Sequence, residues 1–187
     1  WAANHSLESM NVDGSAERPV GTSNPRVLLL TRSFDAGGPA VCSHLAAHGL
    51  GRDDALVFVL GGGTPDDRLE SLRAHVDGPL PSRVGFLTFE EGHRSAEPAH
   101  DVEGGDVWVG TASSPGNLTD VGVALSTQLS RWGGRGGEVA VCVEPVTTLL
   151  QYSSVSDVYR FMHVVGQQVS GAGGRVHYHL DPTAHEG

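Results

Sequence analysis

The chain contains no lysine and no isoleucine, and all twelve of its basic residues are arginine. Against them stand 22 acidic residues, for a formal net charge of −10. Concentrated salt favours an acidic surface without lysine. Carboxylates hold water and cations well, and high ionic strength screens their mutual repulsion. The missing isoleucine, with abundant Gly, Ala, Val and Arg, fits a GC-rich genome. Scarce positive charge argues against nonspecific binding to nucleic acid or anionic membranes, which need a basic surface. Cysteine is almost absent too. Cys42 and Cys142 both lie in apolar runs and read as buried thiols of a cytosolic domain, with a disulfide as the alternative. No run of about eighteen apolar residues exists to span a membrane. Trp1 to Gly21 is polar and lacks the apolar core of a signal peptide.

What is present is a single domain's worth of alternating strand and helix patterns. The length of 187 residues suits one full core and falls short of two ordinary domains. Residues 1–24 read as a disordered or artificial leader, with Met10 a candidate natural start and Trp1–Ser9 an upstream remnant; 25–187 read as the domain. Arg26–Thr31 (RVLLLT) is a continuous apolar run, the mark of a strand buried on both faces. Gly37, Gly38 and Pro39 break it, and a helix runs to about His48. Further strands are expected at Ala55–Leu60, Arg83–Phe89, Asp106–Thr111, Glu138–Val143 and Arg175–Leu180. Thr64 caps a helix over Pro65–Val76, and Asn117 or Ser114 opens one whose apolar face is Leu118, Val121, Leu125, Leu129 and Trp132. A last long helix carries Val155, Val158, Phe161, Met162, Val165 and Val169. Residues 90–105 are charged and Gly-rich, an exposed loop. Strands separated by helices imply an α/β, mainly parallel sheet with helices on both faces.

The turn after the first strand is where a phosphate loop would sit. Such a loop needs glycines around the phosphate, a lysine for the β/γ-phosphates and a Ser/Thr for magnesium. Here Gly37 fits the glycine before the lysine, Gly38 takes the lysine's place and Pro39 the hydroxyl's. Asp35 adds negative charge, Pro39 removes a backbone donor, and Arg32 is the one compensating cation. Glu144, at the end of Glu138–Val143, stands where a carboxylate would hold a magnesium-bound water; the alternative is a solvated strand-terminal glutamate. ATP with magnesium is therefore a candidate ligand only through Arg32, Gly37, Gly38 and Glu144 in unusual roles.

The stretch from Val141 to Glu186 resembles the C-terminal half of the KaiC/RecA-like ATPase fold. More closely, it resembles a group of uncharacterised haloarchaeal proteins with that fold. The carriers are TASSPGNLTDVG (Thr111–Gly122), TTLLQY (Thr147–Tyr152) and HYHLDPTAHE (His177–Glu186). The likeness extends over Arg26–Glu186, specific in the C-terminal half and weak in 60–105. It implies a three-layer RecA-like (P-loop-NTPase-type) sheet and an archaeal, cytoplasmic setting. The group has no established activity, so no catalytic residue is carried over.

His177, His179 and Asp181 alternate, which puts all three on one face of a strand, and His185 follows the turn at Pro182. Three nitrogens and a carboxylate suit zinc or a similar ion. The alternative is a hydrogen-bonded cap that ends the sheet. Ser113–Asn117 forms a turn into a helix, able to bind an anion or simply to cap. No nucleophile elbow, Rossmann fingerprint or informatively spaced Cys–His pair is visible. The expected function is a non-catalytic regulatory or scaffolding module with a protein partner or a second copy of itself. An atypical nucleotide-binding protein or weak NTPase comes next, then a metal-dependent hydrolase built on the C-terminal His/Asp cluster.

Overall fold

The computed structural model describes residues 26–31, 38–90 and 105–185, and of Gly38, Pro39 and His185 the backbone alone. The strands are β1 (Arg26–Leu30), β2 (Ala55–Val59), β3 (Arg83–Phe89), β4 (Asp106–Ala112), β5 (Val139–Val143) and β6 (Arg175–Leu180). Between them lie α1 (Gly38–Ala47), α2 (Pro65–His75), α3 (Leu118–Gly133), α4 (Val146–Tyr152) and α5 (Val155–Gly171), and a 3-10 turn, Pro182–His185, closes the described chain. All strand pairs are parallel, in the order β1-β6-β5-β2-β3-β4.

Two apolar layers flank the sheet. On one face Leu56, Phe58, Val84, Phe86, Ala140 and Cys142 meet Cys42, Ala46 and Ala47 of α1 and Leu69 and Leu72 of α2. On the other, Val57, Val59, Val141, Val143, Val176 and Tyr178 meet α3, α4 and α5. Period-two alternation along strands that lack polar faces explains why both sides need a helical cover. This is the three-layer arrangement expected of a RecA-like domain, with a sheet that is entirely parallel among the described residues.

Local chemistry sets the helix ends. Thr64 and Asp67 form a capping box on α2: Asp67 N–H donates to Thr64 Oγ1 at 3.1 Å, and Thr64 N–H to Asp67 Oδ2 at 2.9 Å. Asn117 rather than Ser114 caps α3, and Ser154 caps α5. Arg83, buried in β3, donates to the carbonyls of Trp132 (3.0 Å), Gly136 (2.6 Å) and Asp53, tying two loops to one edge of the core.

Two expectations change. Among the described residues β1 is an edge strand, not one buried on both faces: it pairs there with β6 alone, and Leu28 and Leu30 are 49% and 60% exposed. A separate helix, α4, precedes α5. Of the charged loop expected at 90–105, residues 91–104 lie outside the described residues, as do residues 1–25.

The order also defines a switch point. From β2 the chain moves outward to β3 and β4; from β5 it moves the other way, to β6. The exits of β2 and β5 diverge, into α2 on one face and α4 on the other, the place where open parallel sheets commonly bind ligands. The two exits touch there: a Cβ on Gly61 would lie 3.0 Å from Pro145 Cβ, so only glycine fits without a shift.

Candidate metal centre beside the switch point

Cys142 lies in the middle of β5 with its side chain towards α1, because its neighbours Val141 and Val143 face α3–α5. Parallel register sets Cys142 opposite His177 of β6, and period two brings His179 to the same face. Cys42 comes from the buried stripe of α1, one turn before Ala46. Four donors from three elements thus converge, all within 4.8 Å of one another. Cys42 Sγ is 3.1 Å from Cys142 Sγ and 3.6 Å from His177 Nε2, and Cys142 Sγ is 3.5 Å from His179 Nε2. The imidazoles stand with centroids 5.1 Å apart. Cys42, Cys142 and His177 are buried and His179 half-buried. Both cysteines are free thiols.

The environment splits the two thiols. The hydrogen bond to Cys142 holds Cys42 far below the ordinary thiol range, and His177 and His179 add to it against the opposing effect of burial. Burial pushes Cys142 upward, and neighbouring Cys42 and Glu144 push it further.

Glu144 lies just past β5, with Oε1 3.9 Å from Cys42 Sγ and 4.0 Å from Cys142 Sγ. Its backbone N–H donates to Val59 O at 3.0 Å, which fixes it across the switch point. Arg68, in the second turn of α2, forms an ion pair with Oε1. The guanidinium also lies over the Phe58 ring, 5.3 Å from its centroid, and its buried Nη1 has no partner among the described residues. Burial raises the Glu144 carboxyl to about 8; Arg68 opposes the rise and Cys42 adds to it. A carboxyl so desolvated and so paired is not a solvated strand-end glutamate.

The expected site residues divide sharply. Among the described residues, His177 and His179 meet with Cys42 and Cys142, and Asp181 is not part of that group. Asp181 Oδ1 accepts from Thr183 N–H at 2.9 Å and Thr183 Oγ1 at 2.6 Å, so this carboxylate caps the closing turn. The side chain of His185 lies outside the described residues. Gly38 is the first residue of α1, while Arg32 and Gly37 lie outside the described residues. The Ser113 turn is already engaged: Ser113 N–H donates to Asp120 Oδ2 at 2.8 Å. Cys42 and Cys142 went unrecognised as site residues because each reads as core in its own segment.

Comparison with known proteins adds one match. A model described as a family of unknown function, DUF7504, covers residues 24–187. No curated protein and no solved structure matches the chain.

Proposed function

Since the chain belongs to DUF7504, a family of unknown function, we propose on the strength of its site that it is a non-catalytic, RecA/KaiC-like regulatory or scaffolding module of a halophilic archaeon. The observation that carries this reading is Glu144. In a hydrolase of this fold the carboxylate ending the equivalent strand must face solvent or a magnesium-bound water. Here Arg68 holds one oxygen, and burial favours the protonated acid. A buried carboxyl already held by an arginine is poorly placed to recruit magnesium or an attacking water. The sequence at the start of α1 points the same way, since Gly38 and Pro39 stand where the lysine and hydroxyl would be. The halophilic assignment rests on the net charge of −10 with arginine as the only strong base, and on the haloarchaeal resemblance. The module works by binding a protein partner or a second copy of itself.

Two alternatives weigh less. A weak NTPase would need Glu144 released from Arg68. A metal-dependent hydrolase on His177, His179, Asp181 and His185 would need Asp181 released from Thr183, and the donors that do converge with the two histidines are the thiols of Cys42 and Cys142. The deciding experiment measures ATP and GTP turnover and equilibrium binding with magnesium in multimolar KCl. The reading predicts neither at millimolar nucleotide. Turnover abolished by Glu144→Gln would overturn it.

A further inference from the structure

We propose that Cys42, Cys142, His177 and His179 form a closed, tetrahedral zinc site that pins α1 to β5 and β6. Zinc takes thiolate and imidazole donors in four-coordinate sites, and sites with four protein ligands are structural. The donor set is too soft for magnesium or calcium, which prefer oxygen.

The geometry fits that ion. Zn–S bonds of about 2.3 Å and Zn–N bonds of about 2.0–2.1 Å at tetrahedral angles set sulfur and nitrogen about 3.6 Å apart and two sulfurs about 3.8 Å apart. Two of the four S–N separations are 3.6 Å and 3.5 Å, and every pair of donors lies within 4.8 Å. The 3.1 Å between the sulfurs needs to open by about 0.7 Å, a movement that one α1 side chain can supply. Both imidazoles aim Nε2 at a sulfur, the orientation that metal ligation requires.

Burial makes the case chemical as well as geometric. A thiolate is costly inside a protein unless a cation accompanies it. The Arg68 guanidinium, which acts on Cys142, is engaged by Glu144. A dication at the centre of the four donors would neutralise both sulfurs. A disulfide is the competing explanation. It requires an S–S bond of about 2.05 Å, far inside the 3.1 Å observed, and leaves both imidazoles facing sulfurs without purpose.

The ligands' placement says what the metal does. Three come from neighbouring strands, already held by the sheet, while Cys42 belongs to a short helix. The ion therefore fastens α1 at its N-terminal half, the end that bound phosphate would organise in a nucleotide-binding relative. This site does not depend on the non-catalytic reading, because either could fail alone: nucleotide turnover with zinc bound would overturn only the latter.

The test uses the full chain purified in reductant without chelator. Elemental analysis should find one zinc per chain, and cobalt(II) exchanged into the site should give the intense visible bands and sulfur-to-metal charge transfer of a tetrahedral thiolate centre. Cys142→Ser should weaken zinc affinity by more than about 100-fold, beyond what losing an outer partner costs. Asp181→Asn and His185→Ala should leave stoichiometry unchanged. Because Cys142→Ser could fail to fold, the cobalt spectrum of the unaltered chain stands as an independent readout. Failure to take up zinc or cobalt by the reduced, folded chain would overturn the proposal. So would metal lost on Asp181→Asn, or a weak octahedral cobalt spectrum.

Discussion

Arg175 offers a quantitative check on how α1 is held. It begins β6 on the face that carries Cys142 and His177, and reaches the far end of the helix. Its guanidinium donates to His48 O, more weakly to Ala46 O at 3.4 Å, and pairs with Glu138. Replacing it with methionine keeps the apolar stem and deletes those interactions. The charged hydrogen bond to His48 O is worth about 1.5–3 kcal/mol, and the long one to Ala46 O adds little. Side chains 18% and 29% exposed reduce the Glu138 pair to about 1 kcal/mol or less. Arg175→Met should therefore cost about 2–4 kcal/mol, or roughly 4–16 °C in melting temperature at this chain length. Urea titration at fixed zinc should show a lower midpoint with an unchanged slope. Hydrogen exchange should speed up first at residues 40–48. A loss below about 1 kcal/mol, or faster exchange spread evenly over the sheet, would refute the reasoning.

Gly85 sits in β3 where an added Cβ would lie 2.9 Å from Trp108 Cε3 and 3.1 Å from Trp132 Cη2. Gly85→Ala should destabilise by about 1–3 kcal/mol through overpacking and perturb tryptophan fluorescence, measured by urea unfolding; an unchanged midpoint would contradict the tight packing. The Asp120 carboxyl, held below its usual value by the Ser113 backbone N–H, should titrate beneath the ordinary carboxylate range in carbon-detected NMR. A depressed value means that its contribution is present above the usual carboxylate pKa and is lost as pH falls through the folded value. The N-terminal turn of α3 should loosen in acid accordingly, and Asp120→Asn should remove that dependence.

Much of the fold was legible in the sequence because its signals are local. Six apolar runs, the Thr64 cap and the apolar stripe of α3 each declare themselves within a few residues. Strand order is not local, so RVLLLT looked like a central strand although it lies at an edge with Leu28 and Leu30 exposed. Helix α4 escaped notice because seven residues span only two turns and Pro145 supplies no side-chain cap. The candidate site was half visible. The alternation of His177 and His179 marked one face of a strand; Asp181, included by the same alternation, lies past the strand's end, where the chain turns and its carboxylate accepts from Thr183. The sulfur ligands were invisible to spacing: Cys42 is 100 positions from Cys142 and 135 from His177. Only the β5–β6 register and the packing of α1 bring them together. A usable signal existed in retrospect. Both cysteines of the chain and two alternating histidines lie in apolar segments, where unpaired imidazoles are costly.

The account's central claim is that a metal centre, and not nucleotide chemistry, organises the α1 end of this sheet. Native mass spectrometry of the reduced chain, purified without chelator and incubated with magnesium and millimolar ATP, tests it most directly. The predicted species is the chain with one bound zinc and no nucleotide. A zinc-free folded chain, or one that retains ATP, would contradict it.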